Sequence, residues 1–176
     1  MIKKGFGMLT TAQAERMSNR DKRVLEFLLP LSTDYPGLET WYAEKVITGL
    51  REGTRLVKCV ERDDQLVAIG IAKRESLENK ICTVRVSPEF FGRGIGVRLF
   101  DNLLEWLEDP APHLTVNEKK LPLFERIFER YDFNMTSGRT GVYLPGATEL
   151  GFNEAHDSAL DTTALKESVS RYSLLA

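Results

Sequence analysis

The sequence predicts an α/β (α+β) fold, in which helices flank a mixed, mostly antiparallel central sheet. Two apolar runs in the middle of the chain are separated only by Arg62-Asp63-Asp64, a linker short enough for a hairpin. A third run, residues 81–86, leads through a glycine-rich turn into an amphipathic helix, and further strands alternate with a helix after it. The 176 residues suit one domain with a sizeable core.

The N-terminal part predicts a short strand at residues 4–9 and then helices. The predicted helices of this part cover residues 12–17, 19–29 and 39–51. The second of these ends at Pro30, because proline cannot continue a helix. The third is closed by Gly53, the residue type favoured just after a helix end.

The rest of the chain predicts strands on both sides of the amphipathic helix. The predicted strands cover residues 54–61, 65–73, 81–86, 113–116, 133–135 and 141–144. Turns are expected at residues 77–79 and 136–139, the second within a terminal hairpin. A helix is predicted over residues 121–131 and is opened by Pro122 in its first turn.

The glycine turn, residues 92–96, joins the third strand to a helix whose apolar residues Ile95, Leu99, Leu103 and Leu107 form one buried stripe. The first N–H groups of a helix lack internal partners and carry partial positive charge, and glycines let a phosphate approach the backbone. The turn therefore indicates an anion site or a ligand-free connection. Its spacing is that of neither a dinucleotide fold nor a nucleotide P-loop.

This stretch resembles the GNAT superfamily of acetyl-CoA-dependent N-acetyltransferases. In that family a strand ends in Val-x-Pro, and Gln/Arg-x-x-Gly-x-Gly/Ala opens the next helix. Here Val86-Ser87-Pro88 is followed by Phe91-Gly92-Arg93-Gly94-Ile95-Gly96. The glycines and the arginine between them fit, whereas Phe91 replaces the usual polar residue. The resemblance covers roughly residues 4–153 and implies a GNAT-like acyltransferase fold.

The resemblance also implies where acetyl-CoA, the expected cosubstrate, would bind. In the family, backbone N–H groups of the strand before the Val-x-Pro step bind the pantetheine arm and the acetyl carbonyl, and the glycine turn and helix start hold the pyrophosphate. The corresponding residues here are Val84, Arg85, Val86, Gly92, Arg93, Gly94, Ile95, Gly96 and Val97.

The side chains for acid–base catalysis depart from the family pattern. Many members carry a tyrosine as general acid where this chain has Phe128, which cannot donate a proton. Tyr131 lies one helical turn further on the same face, so it is either a substitute acid or a packing residue. For the general base, Glu75 and Glu78 are the nearest acidic candidates, although solvated glutamates are common at turns.

The acceptor site is expected between the first two helices, because that segment shapes it in the family. Tyr35 and Trp41 are the candidates there, and Trp41 could equally pack against the sheet. The sequence does not distinguish among four acceptors: a protein N-terminus, a lysine, a small amine and an aminoacyl-tRNA.

The leading hypothesis is thus an N-acyltransferase that moves an acetyl group from acetyl-CoA to an amine by direct transfer. The alternative is a non-catalytic acyl-CoA-binding sensor or assembly module with the same fold. The replacements at Phe91 and Phe128 keep that alternative open.

Composition bears on the expected partners, cellular location and metal content of the protein. A formal net charge of −2 argues mildly against nucleic acid as a partner, though a tRNA acceptor stays open. Without a secretory signal or a membrane-length apolar run, a cytoplasmic protein is expected. Cys59 and Cys82 lack CxxC spacing, and His113 and His156 lie far apart in sequence, so no metal site is predicted.

The predicted domain spans residues 1–153, and residues 154–176 form a C-terminal tail. Within the tail, Leu165, Val169 and Tyr172 have helical spacing and would present one short apolar stripe. Such a helix is marginal alone, so it would dock on its own domain, fray, or bind a second copy in a homodimer.

Overall fold

The computed structural model describes Thr10, Glu15 and residues 17–154, and it contains a six-stranded sheet of order β1-β2-β3-β4-β6-β5. The strands are β1 Arg55–Arg62, β2 Gln65–Glu75, β3 Glu78–Val86, β4 His113–Asn117, β5 Met135–Thr140 and β6 Thr148–Phe152. The helices are α1 Asn19–Leu28, α2 Leu38–Trp41, α3 Ile47–Glu52, α4 Ile95–Leu107 and α5 Glu125–Arg130. Only the β3–β4 pairing is parallel, which confirms the predicted fold class.

The helices of the N-terminal part form largely where the sequence predicts them. A capping box between Ser18 and Asp21 starts α1. The helix predicted at 39–51 is interrupted by a π turn, Tyr42–Val46, which continues directly into α3. Gly53 closes α3 with a φ of 74°, as expected of a glycine just past a helix end.

The β1–β2 hairpin is confirmed, and its turn consists of Asp63 and Asp64 alone. Their φ angles of 48° and 60° are both left-handed, as a tight two-residue hairpin turn requires. The next turn was predicted one residue too late. It covers residues 76–77, and Glu78 already belongs to β3.

The two faces of the sheet are covered by different helices. Ile69 and Ile71 of β2 point into a core shared with the N-terminal helices, whereas Ala68 and Ala72 point toward α4. The apolar stripe of α4 is buried as predicted. Gly70 lets this helix approach closely, because a Cβ there would lie only 2.9 Å from Leu103 Cδ1.

Three predictions for the C-terminal part are wrong. The helix predicted at 121–131 begins only at Glu125, and Pro122 lies in a preceding 3₁₀ segment, Glu118–Leu123. The polar residues 136–139, predicted as a turn, belong to β5, because an edge strand with a solvated face tolerates polar side chains. The apolar residues 141–144 lie in the loop that precedes β6.

Some predictions fall on residues that the structure does not describe. The strand at 4–9, most of the helix at 12–17, and the tail from residue 155 onward, with its stripe and its proposed homodimer contact, lie outside the described residues. The domain boundary at residue 153 stays a prediction. Within the described part, no helix combines the length and the apolar character that crossing a membrane would require.

Candidate active site

The sheet opens between β3 and β4, and this opening creates the main cavity. The two strands pair only at Lys80–His113 and Ile81–Leu114. Directly after these pairs, Cys82 is the extra residue of a bulge in the β2–β3 ladder. A bulge bends its strand and is frequent beside active sites. Beyond it, the unpaired parts of β3 and β4 line a cavity of about 1150 Å³.

The cavity joins the two faces of the sheet through this gap. We call its α4 side the donor end and the opposite side the acceptor end. Residues that line the donor end include Gly92, Gly94, Ile95, Gly96, Val97, Phe100 and Phe128. Residues that line the acceptor end include Leu31, Asp34, Tyr35, Trp41, Arg55, Tyr143 and Glu149. Of the nine residues predicted to bind acetyl-CoA, all but Arg93 line the cavity.

The glycine turn leaves room for a bulky anion at the start of α4. Gly92 and Gly94 have φ angles of 73° and 71°, and a Cβ built on either would meet no atom within 4 Å. Gly94 is the N-cap residue and offers no side-chain hydrogen bond to the helix. The first helical bond runs from the Arg98 N–H to Gly94 O, so the three preceding N–H groups have no partner within the helix.

The other residues of the turn have structural contacts. A Cβ at Gly96 would lie 3.1 Å from Ile127 Cδ1, so this glycine allows α4 and α5 to pack closely. Arg93 is exposed, and its Cζ lies 5.1 Å from the centroid of the Phe90 ring.

The backbone of β3 presents alternate residues to the gap. Ser87 donates its N–H to Val67 O of β2 at 2.8 Å. Backbone groups alternate along an antiparallel strand, so Arg85 also faces β2, and Val84 and Val86 face the gap. The side chain of Arg85 is held on the other face, where Nη1 donates to Phe27 O at 2.7 Å.

A buried carboxylate, Glu149, lies at the acceptor end. Its side chain belongs to β6, it is 6% exposed, and it accepts a hydrogen bond of 3.3 Å from the Tyr35 hydroxyl. Burial raises the pKa of the Glu149 carboxyl, although hydrogen bonds from Thr115 and Tyr35 oppose the shift. Burial and the nearby Glu149 charge also raise the pKa of Tyr35.

Sequence reasoning missed Glu149, because β6 was placed at the wrong residues. The only local signal is a single carboxylate beside the apolar residues Leu150 and Phe152. That pattern does not show that β6 lies between β4 and β5, which is what brings Glu149 to the gap.

The loop between α1 and α2 crosses the acceptor end. Tyr35 packs edge-on against Tyr143, with ring centroids 5.0 Å apart, and Asp34 forms an ion pair of 3.1 Å with Lys120. Trp41 lines the cavity and also packs against the core of the N-terminal helices, so both of its predicted roles are compatible with its position.

Tyr131 lies away from this gap. Its hydroxyl donates to Asp101 Oδ1 at 2.6 Å, and its ring stacks on Phe100 at 6.0 Å. It is absent from the cavity lining, whereas Phe128, at the family's tyrosine position, is 5% exposed and lines the donor end.

Glu75 and Glu78, the general-base candidates from the sequence, belong to a network of charged side chains. Glu78 forms an ion pair with Lys73, and its Oε1 lies 2.8 Å from His113 Nδ1. Burial opposes ionisation of Glu78, but the hydrogen bonds from Lys73 and His113 outweigh it and lower the pKa to about 2. A carboxylate with so low a pKa is a weak base. Glu75 lies 3.4 Å from the same lysine.

This network should make stability depend on pH in the acid range. Because folding lowers the pKa of Glu78 from 4.5 to about 2, its contribution is present above pH 4.5 and lost as pH falls toward about 2. We expect the urea midpoint of the wild type to fall more steeply over this window than that of Glu78→Gln. Glu105→Gln, on the exposed face of α4, is the control. Urea midpoints that fall equally with pH in the wild type and in Glu78→Gln would contradict this expectation.

Among the described residues, no group of three or more His, Cys, Asp or Glu side chains is placed to hold a metal ion.

Comparison with known proteins agrees with this architecture. The sequence model of the acetyltransferase (GNAT) domain matches residues 34–142. A GNAT-family acetyltransferase from Desulfovibrio desulfuricans is 14% identical, over 77% of this chain and 92% of its own, with a TM-score of 0.62. An aminoglycoside 6'-N-acetyltransferase complexed with coenzyme A is 12% identical, over 82% and 97% of the two chains, with a TM-score of 0.55.

A further similar structure is the PaiA N-acetyltransferase from Thermoplasma acidophilum in complex with coenzyme A. It is 14% identical, over 77% of this chain and 94% of its own, with a TM-score of 0.53. No curated protein matches the chain significantly. At such identities the solved structures show a shared fold. The family model matches well over half of the residues, and the chain therefore belongs to the GNAT family of acetyltransferases.

Proposed function

We propose that this protein transfers an acetyl group from acetyl-CoA directly to an amine acceptor. The observation that carries the proposal is the continuous cavity, which runs from the glycine turn through the β3–β4 gap to the buried carboxylate of Glu149. Backbone N–H groups without helical partners lie at one end and a buried carboxylate lies at the other, and the unpaired parts of β3 and β4 lie between them.

The donor end fits acetyl-CoA, which would supply the acetyl group as a thioester. The N–H groups of Ile95, Gly96 and Val97 would bind the pyrophosphate, because they lack helical partners and the space beside Gly94 is open. Val84 and Val86 would direct backbone groups toward the pantetheine arm and the acetyl carbonyl. An N–H donor there would stabilise the negative charge that develops on the carbonyl oxygen during transfer.

Glu149 is the proposed general base at the acceptor end. A buried carboxyl with a raised pKa accepts a proton better than an ordinary glutamate does. The acceptor nitrogen would form its bond to the acetyl carbon as the carbon–sulfur bond breaks. The proton lost by the nitrogen would go to Glu149, and the released thiolate would take a proton from water.

For Tyr131, we propose that its hydroxyl stabilises the contact between α5 and α4. Tyr131→Phe should lower the free energy of unfolding by about 1 kcal/mol, the usual worth of one hydrogen bond, and leave kcat nearly unchanged. Chemical denaturation and initial rates measure the two effects. A loss of about a hundredfold in kcat with an unchanged affinity for acetyl-CoA would instead support its sequence-based assignment as general acid.

The alternative, a binding module without transfer, is supported by the phenylalanine at position 128. A thiol-release assay with a panel of amines, combined with calorimetry of acetyl-CoA binding, distinguishes the two functions. Transfer predicts binding together with amine-dependent thiol release and an N-acetyl product by mass spectrometry. Binding without thiol release for any amine would reject the enzymatic proposal and favour the sensor.

A further inference from the structure

We infer that the acceptor of this enzyme is a small amine that also carries an anionic group, a carboxylate or a phosphate. The inference rests on the proposed function and adds the substrate class to it. It follows from the charged side chains that line the cavity, some of which form ion pairs whereas others form none among the described residues.

Three cations that line the cavity already have partners within the protein. Lys73 forms an ion pair with Glu78, and Lys120 with Asp34. The guanidinium of Arg85 donates to a backbone carbonyl and stacks over the Phe27 ring, 4.4 Å from its centroid. These side chains have little unused capacity for a ligand.

Arg55 and Lys80 differ from these side chains in the partners that they have. Both are half-buried and line the cavity, and neither forms an ion pair with any carboxylate in the part of the chain that the structure describes. The hydrogen-bond partner found for the Arg55 guanidinium is the thiol of Cys82, a weak acceptor, at 3.4 Å. A half-buried guanidinium without a carboxylate is well suited to bind a planar or tetrahedral anion through several N–H groups.

The two cations and Glu149 belong to one end of the cavity. Arg55 Nη1 lies 3.4 Å from Cys82 Sγ, and Lys80 precedes Cys82 by two residues in β3, so the three residues meet at the bulge and line the same cavity. Burial raises the pKa of the Cys82 thiol, and the charges of Arg55 and Lys80 oppose that shift. Glu149 lines the same cavity, and the charge of Lys80 partly offsets the rise that burial causes in the pKa of its carboxyl. An acceptor could therefore place its amine near Glu149 and an anionic group near Arg55 and Lys80.

The acceptor end favours a small molecule over a protein segment. The Tyr35–Tyr143 ring contact and the Asp34–Lys120 ion pair both connect the α1–α2 loop to the β4–β6 side of the gap. We expect these links to hinder the entry of a polypeptide, because both would have to open to admit one. Amino acids and phosphorylated amines combine an amine with an anion at this size.

The test compares thiol release with matched pairs of amines. Phenylalanine against 2-phenylethylamine tests a carboxylate, and O-phosphoethanolamine against ethanolamine tests a phosphate. We expect the anionic member of at least one pair to have a kcat/KM about 10- to 100-fold higher than its neutral partner, the scale of one hydrogen-bonded charge pair. The pair that shows the preference identifies the anion.

Substitutions test whether Arg55 and Lys80 cause the preference for the anionic amine. Arg55→Gln should reduce the ratio of the two kcat/KM values by about tenfold or more, and Arg55→Lys should retain part of it. Lys80→Gln should act in the same direction. Arg62→Gln removes the same charge from the far, exposed end of β1 and should leave the ratio unchanged. A purely structural role of Arg55 would lower both rates equally and leave their ratio intact.

Three results would overturn the inference. A preference for neutral amines or polyamines would overturn the substrate class and leave acetyl transfer intact. An anion preference that survives in Arg55→Gln and Lys80→Gln would overturn the assignment of these residues. Bound acetyl-CoA without thiol release for any amine would overturn the proposed transfer, and the inference with it.

Discussion

Gly94→Glu should strongly weaken acetyl-CoA binding and leave the fold intact. The position has a φ of 71° and open space around its missing Cβ, so the new side chain extends into the volume proposed for the pyrophosphate. Like charges a few ångströms apart repel by roughly 3 kcal/mol at a protein-like dielectric, which corresponds to an affinity loss of about a hundredfold or more. Calorimetry with acetyl-CoA measures the loss, and circular dichroism checks the fold.

Gly53→Glu is the matched control for this change. Gly53 has a φ of 74°, also has no atom within 4 Å of a built Cβ, and lies at the end of α3 away from the cavity. Both variants therefore carry similar backbone strain, of about 1 kcal/mol, and only one should lose acetyl-CoA. Wild-type affinity in folded Gly94→Glu would reject the glycine turn as the pyrophosphate site.

Glu149→Gln should lower kcat/KM by about 10²- to 10⁴-fold, the usual effect of losing a general base. Glutamine has nearly the same shape and can still accept the hydrogen bond from Tyr35, so the fold and the acetyl-CoA affinity should be retained. Glu129→Gln, on the exposed side of α5, is the control for loss of a carboxylate. A Glu149→Gln variant with wild-type rates would show that the acceptor is deprotonated without this residue.

The pH profile should identify Glu149 independently. Only the ionised carboxylate can accept a proton, so the rate should fall as pH decreases through the raised pKa of Glu149. The acid limb of the wild-type kcat/KM profile is therefore expected above the ordinary glutamate range, and it should disappear from the residual activity of Glu149→Gln. An identical acid limb in both proteins would assign the titration to another group.

Signals that are local in the chain predicted the fold class, and they also predicted the segment that we propose as the acetyl-CoA site. The strand, the glycine turn and the helix that would hold acetyl-CoA lie within residues 81–107. The proposed binding would depend mainly on backbone N–H groups and on glycines, so the order of residue types already indicates the geometry. The buried stripe of α4 and the β1–β2 hairpin were predictable for the same reason.

The acceptor end depends on contacts that no local pattern shows. Tyr35 and Glu149 are separated by 114 positions in the chain and form a hydrogen bond only because β6 lies between β4 and β5. Local propensity also misplaced β6, since an edge hairpin with a solvated face can hold polar residues in β5 and leave apolar ones in the loop.

The assignments of single side chains were decided by tertiary structure as well. Helical spacing predicted that Phe128 and Tyr131 share one face, and both rings do contact Phe100. It could not show that Tyr131 would donate to Asp101 of α4. Nor could it show that Glu78 would be held by Lys73 and His113, or that Arg55 would have a thiol as its neighbour. A side chain's charge state and its partners depend on what the fold brings beside it, and that is decided by the packing of distant segments.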